Sequence, residues 1–205
     1  NSTNNKNNTQ QRSNQDLLRI PRPPQIVPTI VFSLRLRFSR AVSTGSVDAS
    51  VSTTDLTNLI CVSTSATEAM CLCTSAQIKR VWIWGPMSSS LQPVTVSLDW
   101  AGATSFTFSS RSVKVSDTSM GASEPAYITS APPEDSLVGS WLSPNSSQPL
   151  FHYACPANSV IDLKVKFVLE DRVALRAVSG DFPFSAPGYL VVNNPPGLKC
   201  ISFPS

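Results

Sequence analysis

The clearest feature of the chain is a segment in which apolar and polar side chains alternate. Between residues 29 and 39 the sequence TIVFSLRLRFS places apolar side chains at the even positions and mostly Ser or Arg at the odd ones. A period of two belongs to a β-strand, whose successive side chains point to opposite faces. A helix would distribute the arginines around its circumference. The segment therefore predicts a strand with one apolar face and one basic face.

Further segments follow the same pattern along the chain. The best defined are 77–85, 93–100, 160–170 and 188–193, of which the last is expected to close the chain. Weaker candidates are 46–52, 105–110, 112–116, 125–130 and 149–155. Two segments predict short helices in connections instead. They are 55–63, with Asp55 placed to cap, and 132–142, where Glu134 and Asp135 follow Pro133.

These elements define the expected fold class. About eight strands separated by turn residues, with helices only in connections, predict an all-β antiparallel sandwich. Its eight-stranded, two-sheet form is the jelly roll. An immunoglobulin-like topology is less favoured, because the Cys…Trp…Cys arrangement is absent from the sequence. We expect the jelly-roll domain to span residues 25–205.

Residues 1–24 differ in composition from this body. Residues 1–19 are rich in Asn, Gln and Ser and contain little apolar surface to offset the entropy of ordering, which predicts a flexible arm. Residues 1–40 carry seven cations against one anion, a net charge of +6, whereas the remaining 165 residues carry nine against twelve, a net charge of −3. A basic end on a slightly acidic body indicates contact with a polyanion such as nucleic acid. The candidate residues are Lys6, Arg12, Arg19, Arg22, Arg35, Arg37 and Arg40.

Two of these cations, Arg35 and Arg37, lie on one face of a predicted strand and have two possible roles. They could contact nucleic-acid phosphates, or they could pair with an acid such as Asp99 or Asp162 on a neighbouring strand or subunit. The first role is slightly favoured.

Charged residues make up only 14% of the chain, against about 25% in typical soluble proteins. This depletion indicates that much of the surface is buried between subunits.

Enzymatic chemistry finds little support in the sequence, and we expect no catalytic site. The chain contains no G-x-S-x-G, P-loop or H-E-x-x-H motif, and its one histidine, His152, lies in an apolar strand-like segment. The string Asp117–Ser119 is expected to be a turn. No cofactor and no metal site are expected, although Glu134–Asp135 and Glu170–Asp171 could meet across subunits to bind calcium.

The cysteines predict no zinc site, and the hydropathy of the chain predicts no membrane span. The five cysteines form an odd set without C-x-x-C spacing, which predicts reduced and mostly buried thiols and not a zinc site. They are Cys61, Cys71, Cys73, Cys155 and Cys200. No run of 18 apolar residues is present, so no membrane span is expected.

Several segments taken together resemble a known class of protein. AQIKRVWIWGPM, PVTVSLDWAG, SDTSMGASEPAYITSAPPEDSLVGSWL and DLKVKFVLEDR occur in this order. They resemble the single jelly-roll capsid proteins of small icosahedral viruses, tombusvirus-like and noda-like, which some circular single-stranded DNA viruses also encode. The resemblance covers roughly residues 25–195. The sequence departs from the family pattern because its arm contains no dense cluster of Arg and Lys.

The resemblance implies a subunit that assembles with many copies of itself into a closed virion shell around an RNA or DNA genome, with the arm directed inward. The host and its receptor remain open. The alternative is a carbohydrate-binding or adhesin-like β-sandwich with an aromatic-lined groove. Four tryptophans are available for such a groove: Trp82, Trp84, Trp100 and Trp141.

Overall fold

The computed structural model describes residues 30–40, 47–87, 92–100, 113–120, 124–134, 136–144, 147–169, 176–179 and 190–202. Thirteen strands lie within these ranges: β1 (Val31–Arg40), β2 (Val47–Ser52), β3 (Ile60–Ser63), β4 (Glu68–Cys71), β5 (Cys73–Trp84), β6 (Val94–Trp100), β7 (Val113–Ser119), β8 (Tyr127–Ser130), β9 (Pro149–Cys155), β10 (Val160–Leu169), β11 (Arg176–Ser179), β12 (Leu190–Val192) and β13 (Leu198–Ser202). A helix, α1 (Thr53–Thr57), and a 3-10 turn, Leu137–Gly139, lie in connections.

Eight of the strands form the jelly roll that the sequence predicts. One sheet has the order β13-β1-β10-β5-β8 and a second has the order β2-β9-β6-β7, with antiparallel pairing throughout. If β1, β2, β5, β6, β7, β8, β9 and β10 are counted as strands one to eight, the sheets read 1-8-3-6 and 2-7-4-5. This is the strand order of a jelly roll. The predicted fold class is therefore confirmed.

The core lies between the two sheets and follows directly from the period-two pattern. In β1, Leu36 and Phe38 are fully buried, whereas Arg35 and Arg37 point outward. Leu36 and Phe38 belong to a core cluster with residues of both sheets. It includes Leu163, Val165 and Phe167 of β10, Val81 and Ile83 of β5, and Val96, Leu98, Trp100, Phe151 and Tyr153 of the opposite sheet. Trp100 and Phe151 meet edge to face with ring centroids 5.4 Å apart, a favoured aromatic geometry.

A smaller sheet, β11-β4-β3-β12, accompanies the sandwich and was not predicted as a unit. It has its own buried cluster of Cys61, Ala69, Cys71 and Val191. Its strands have only three or four residues, too few for a period-two pattern to stand out. The prediction that 188–193 closes the chain is wrong, because β13 follows and pairs with β1.

The helix predictions need correction at their boundaries. Helix α1 begins at Thr53 with Ser52 as its N-cap, and Asp55 occupies the third helical position, where its carboxylate accepts from the Ser52 backbone N–H at 2.8 Å. This is a capping box. The chain then enters β3, so the helix is shorter than 55–63. Among the described residues of 132–142, a 3-10 turn, Leu137–Gly139, stands in place of the predicted helix. The predicted strand at 105–110 lies outside the described residues, as do the arm and its boundary at residue 24.

Candidate nucleic-acid interface

The outer surface of the five-stranded sheet carries most of its cations on the three central strands, β1, β10 and β5. In the strand register Arg35 of β1 is opposite Lys164 of β10, which is opposite Arg80 of β5. One step along the strands Arg37 is opposite Asp162, and in the other direction Ser33 is opposite Lys166. The paired outward positions of β1, β10 and β5, here called the basic face, thus carry five cations (Arg35, Arg37, Arg80, Lys164 and Lys166) and one anion, a net charge of +4, and the exposed Lys199 of β13, opposite Ser39, lies beside them.

The opposite side of the sandwich differs in charge. The outer surface of the sheet β2-β9-β6-β7, here called the polar face, presents mainly Ser and Thr with Asp48, Asp99, Lys114 and His152. Two anions and one cation give a net charge of −1 with the histidine neutral. The basic face and the polar face therefore differ by five charges, and this difference would orient the molecule toward a polyanion.

Asp162 holds the two arginines of the basic face in place. The Arg35 side chain approaches Asp162 Oδ2 through both Nε and Nη2, each at 2.8 Å. Arg37 donates from Nε to Oδ1 at 2.8 Å and from Nη2 to Oδ2 at 3.0 Å. The carboxylate side chain is 2% exposed, whereas each arginine side chain is 47% exposed. The hydrogen bond to Asp162 raises the pKa of the Arg37 guanidinium above its ordinary value.

Of the two roles considered for Arg35 and Arg37, the structure therefore shows pairing with Asp162. The single negative charge of Asp162 neutralises only one of the two positive charges of Arg35 and Arg37. Because the Nη1 groups make none of these contacts with Asp162 and half of each side chain remains exposed, the pairing is compatible with a second anionic partner. Contact with nucleic acid stays a prediction for both residues.

Aromatic side chains are interleaved with these cations. The Arg35 guanidinium carbon lies 4.2 Å from the centre of the Trp82 ring, and that of Arg37 lies 5.7 Å from the Trp84 ring. Trp84 in turn stacks on Tyr127 of β8, with centroids 5.4 Å apart and planes inclined by 28°. Both tryptophans are half-buried, and Tyr127 is 42% exposed. Cation–π contact and stacking give this part of the face a fixed geometry.

Arg40 was grouped with Arg35 and Arg37 from the sequence, but the structure separates it from them. It lies on the inner side of β1 with Leu36 and Phe38 and is 3% exposed. Its guanidinium carbon is 5.1 Å from the centre of the Tyr153 ring. This burial favours a structural role, and contact of Arg40 with nucleic acid remains an untested prediction. The other four predicted residues, Lys6, Arg12, Arg19 and Arg22, lie outside the described residues.

Sequence reasoning missed six members of the face: Arg80, Lys164, Lys166, Trp82, Trp84 and Tyr127. The signal for the lysines was present, because the period-two pattern of 160–170 places both on the polar side of their strand. What the pattern does not contain is the pairing of that strand with β1 and β5. Strands 30 and more residues apart come together only in the folded sheet.

The residues considered for chemistry have other surroundings. His152 is exposed on the polar face, opposite Asp99 in the register. Asp117 belongs to strand β7 and not to the expected turn, and its Oδ2 accepts from the Tyr127 backbone N–H at 2.8 Å. Within the described ranges no group of three His, Cys, Asp or Glu side chains is placed to hold a metal ion. Of the two acidic pairs proposed for calcium, only Glu134 is described.

All five cysteine side chains are thiols that form no disulfide, four of them buried and Cys200 half-buried. Burial raises the pKa of the Cys155 thiol above its ordinary value. In the part of the chain that is described, no helix combines the length and apolar character needed to cross a membrane.

The described strands form a jelly roll, and its five-stranded sheet has a basic, aromatic outer face. Among solved structures the chain is similar to the virus-like particle of the extra small virus of the giant freshwater prawn Macrobrachium rosenbergii, with 8% identity and a TM-score of 0.42, covering 74% of this chain and 86% of that one. It is also similar to Desmodium yellow mottle tymovirus, with 15% identity and a TM-score of 0.37, covering 75% and 96%.

Both structures are of viral origin. The assignment of the fold rests on the strand order given above. A scan against protein-family models finds no match, and neither does a search of curated proteins.

Proposed function

We propose that this chain is the coat protein of a small icosahedral virus, many copies of which assemble into a closed shell around a nucleic-acid genome. The observation that carries the proposal is the difference in charge between the two broad surfaces of the jelly roll. A subunit that encloses a polyanion needs one cationic surface, and the basic face has a net charge of +4 beside a polar face of −1. In this arrangement the basic face is directed inward.

The composition supports the same conclusion. Viral coat proteins are one of the classes built on the jelly roll, and lectins and cupins are others. A chain with 14% charged residues has few groups to keep a monomer soluble. Self-association would cover part of its surface. The basic arm predicted over residues 1–24 would add to the contacts with the genome, and the virion is the expected location.

The alternative of a carbohydrate-binding module is less well supported by the tryptophans. Trp100 is 1% exposed in the core. Trp82 and Trp84 lie against arginine side chains on the basic face. Trp141 is 45% exposed, and its neighbour Leu142 forms a bridge with Ala76 of β5. Ala76 precedes Trp82 by six residues along that strand. The four rings therefore do not line one groove. A structural role without catalysis is part of the proposal.

The decisive experiment is to measure particle size and nucleic-acid content of the purified full-length protein. We expect megadalton shells in sedimentation velocity and negative-stain microscopy, containing nucleic acid that resists added nuclease. Replacing three cations of the basic face (Arg80→Gln, Lys164→Gln and Lys166→Gln together) should lower the protected nucleic acid per shell. The matched control is Lys114→Gln on the polar face. A stable monomer at neutral pH and moderate salt would contradict the proposal.

A further inference from the structure

The basic face contains cationic and aromatic side chains, which can bind the phosphates and the bases of a nucleic acid. These side chains lie in adjacent rows. Arg35, Lys164 and Arg80 form one row across β1, β10 and β5, with neighbouring strands about 4.8 Å apart. The next row along β5 contains Trp82, and the row after that contains Trp84 and Tyr127. Successive rows are about 7 Å apart, the rise of two strand residues.

The cations lean toward the aromatic rows. Arg35 and Trp82 are one row apart in the register, yet the guanidinium of Arg35 lies 4.2 Å from the centre of that ring. Arg37 reaches in the same direction toward Trp84. Both guanidiniums are fixed by Asp162 through Nε and Nη2. Donors held in this way bind phosphate with a smaller loss of side-chain entropy than free arginines do.

Tyr127 ends the aromatic column. One face of its ring packs on Trp84, and 42% of the residue is exposed. The ring can therefore accept a further planar group without displacing Trp84. Stacking of a base on an aromatic side chain is insensitive to sequence, because every base has a π-face. A duplex hides those faces between its own base pairs, so along its length it offers this surface phosphates, sugars and base edges but no free base face.

From this arrangement we infer that the basic face binds single-stranded nucleic acid in preference to duplex. Phosphates lie against Arg35, Arg37, Arg80 and the two lysines, and a base stacks on Tyr127. The inference rests on the proposed function, since it is the enclosed polyanion that meets this face. RNA and DNA share the required chemistry, and the arrangement of the basic face favours neither sugar.

The test measures binding of fluorescently labelled 12-nucleotide oligo(U), oligo(dT) and a 12-base-pair duplex by the full-length protein in which Lys6, Arg12, Arg19 and Arg22 are changed to Gln. Fluorescence anisotropy is recorded on subunits separated from any shells by sedimentation. We expect at least about five-fold tighter binding of one or both single strands than of duplex, since stacking of one base contributes about 1–3 kcal/mol. Comparison of oligo(U) with oligo(dT) distinguishes RNA from DNA.

Variants separate stacking from charge. Tyr127→Ala should weaken single-strand binding about five-fold or more and leave duplex binding in place. Tyr127→Leu keeps apolar bulk against Trp84 without a π-face, so it should lose the same preference even if the alanine variant is unstable. Arg80→Gln should weaken binding of both forms and lower the salt dependence by about one phosphate contact. Lys114→Gln on the polar face is the control and should bind like the parent.

The outcomes are distinct. Equal affinity for single strand and duplex, or a Tyr127→Leu protein that keeps the single-strand preference, would overturn the inference. Shell formation is scored separately by sedimentation of the unmodified chain. Single-strand preference without shells would uphold this inference and contradict the proposed function, whereas shells without the preference would do the reverse.

Discussion

The Asp162 carboxylate offers the sharpest test of how the basic face is held together. It accepts from two guanidiniums at 2.8–3.0 Å and its side chain is 2% exposed. In Asp162→Asn the shape is kept, but the negative charge is lost and an amide NH₂ group meets N–H donors. We expect the variant to fold and to be less stable than the parent.

The magnitude follows from the exposure of the partners. Breaking a buried ion pair costs about 3–5 kcal/mol when the remaining charge stays buried. Here the remaining charges belong to arginine side chains that are 47% exposed and can rehydrate. The cost should therefore fall to about 2 kcal/mol, within the range for hydrogen bonds to charged groups. For a chain of this length that corresponds to a midpoint about 4–8 °C lower.

The assay is thermal and urea unfolding of unassembled subunits, followed by circular dichroism. Asp48→Asn on the polar face is the matched control, because Asp48 is exposed, and it should change stability by less than about 0.5 kcal/mol. A double-mutant cycle of Asp162→Asn with Arg37→Gln should show coupling between the two sites. If Asp162→Asn unfolds within about 0.5 kcal/mol of the parent, the reasoning about this ion network is refuted.

Three further predictions concern the rest of the sandwich. Gly85→Ala should lower stability by about 1–3 kcal/mol in urea unfolding, because an added Cβ would lie 2.8 Å from Val94 Cγ1. Asp55→Ala should cost about 1 kcal/mol in the same assay, since it removes the acceptor for Ser52 in the capping box. Burial raises the pKa of Tyr153 from 10.0 to about 12. Absorbance titration at 295 nm should show one tyrosine ionising near pH 12, and Tyr153→Phe should remove that step.

The sign of the tyrosine effect follows from linkage. The pKa of Tyr153 is higher in the folded state than in the unfolded chain, so its contribution to stability is complete below pH 10 and is lost as pH rises through 12. Tyr127→Phe is the control in the titration and should leave the step near pH 12 in place. Gly139→Ala, whose added Cβ would lie 3.3 Å from Pro132 Cβ, should cost less than Gly85→Ala. Equal or reversed costs would contradict the packing argument.

Strand periodicity was sufficient to predict the fold class. Segments 29–39, 93–100 and 160–170 correspond to β1, β6 and β10 because each has one face in the core and one in water. The sheet β11-β4-β3-β12 was missed because its strands are short and because β11 and β12 pair with strands that lie far away in the chain. The final strand, β13, was missed because its alternation spans only five residues.

The candidate interface was predictable only in part. Alternation placed Arg35 and Arg37 on an outward surface, and Asp162 was among the acids considered as partners. The aromatic component was not predicted as part of it, because Trp82 and Trp84 lie on β5 and Tyr127 on β8, and only the strand order brings them beside the arginines. Arg40 shows the converse. It is three positions from Arg37, and an odd spacing in a strand places it on the other side.

The distance in sequence between the arginines and their counter-ion affects how a newly made subunit behaves. Asp162 follows Arg35 by 127 positions and Arg37 by 125. At about 5–20 residues per second, a ribosome adds the carboxylate about 6–25 seconds after the guanidiniums. During that interval the first strand of the nascent chain has neither its counter-charge nor its neighbours β10 and β13. The fixed arrangement of Arg35 and Arg37 on the basic face can therefore form only after β10 has been synthesised, more than 120 residues after β1.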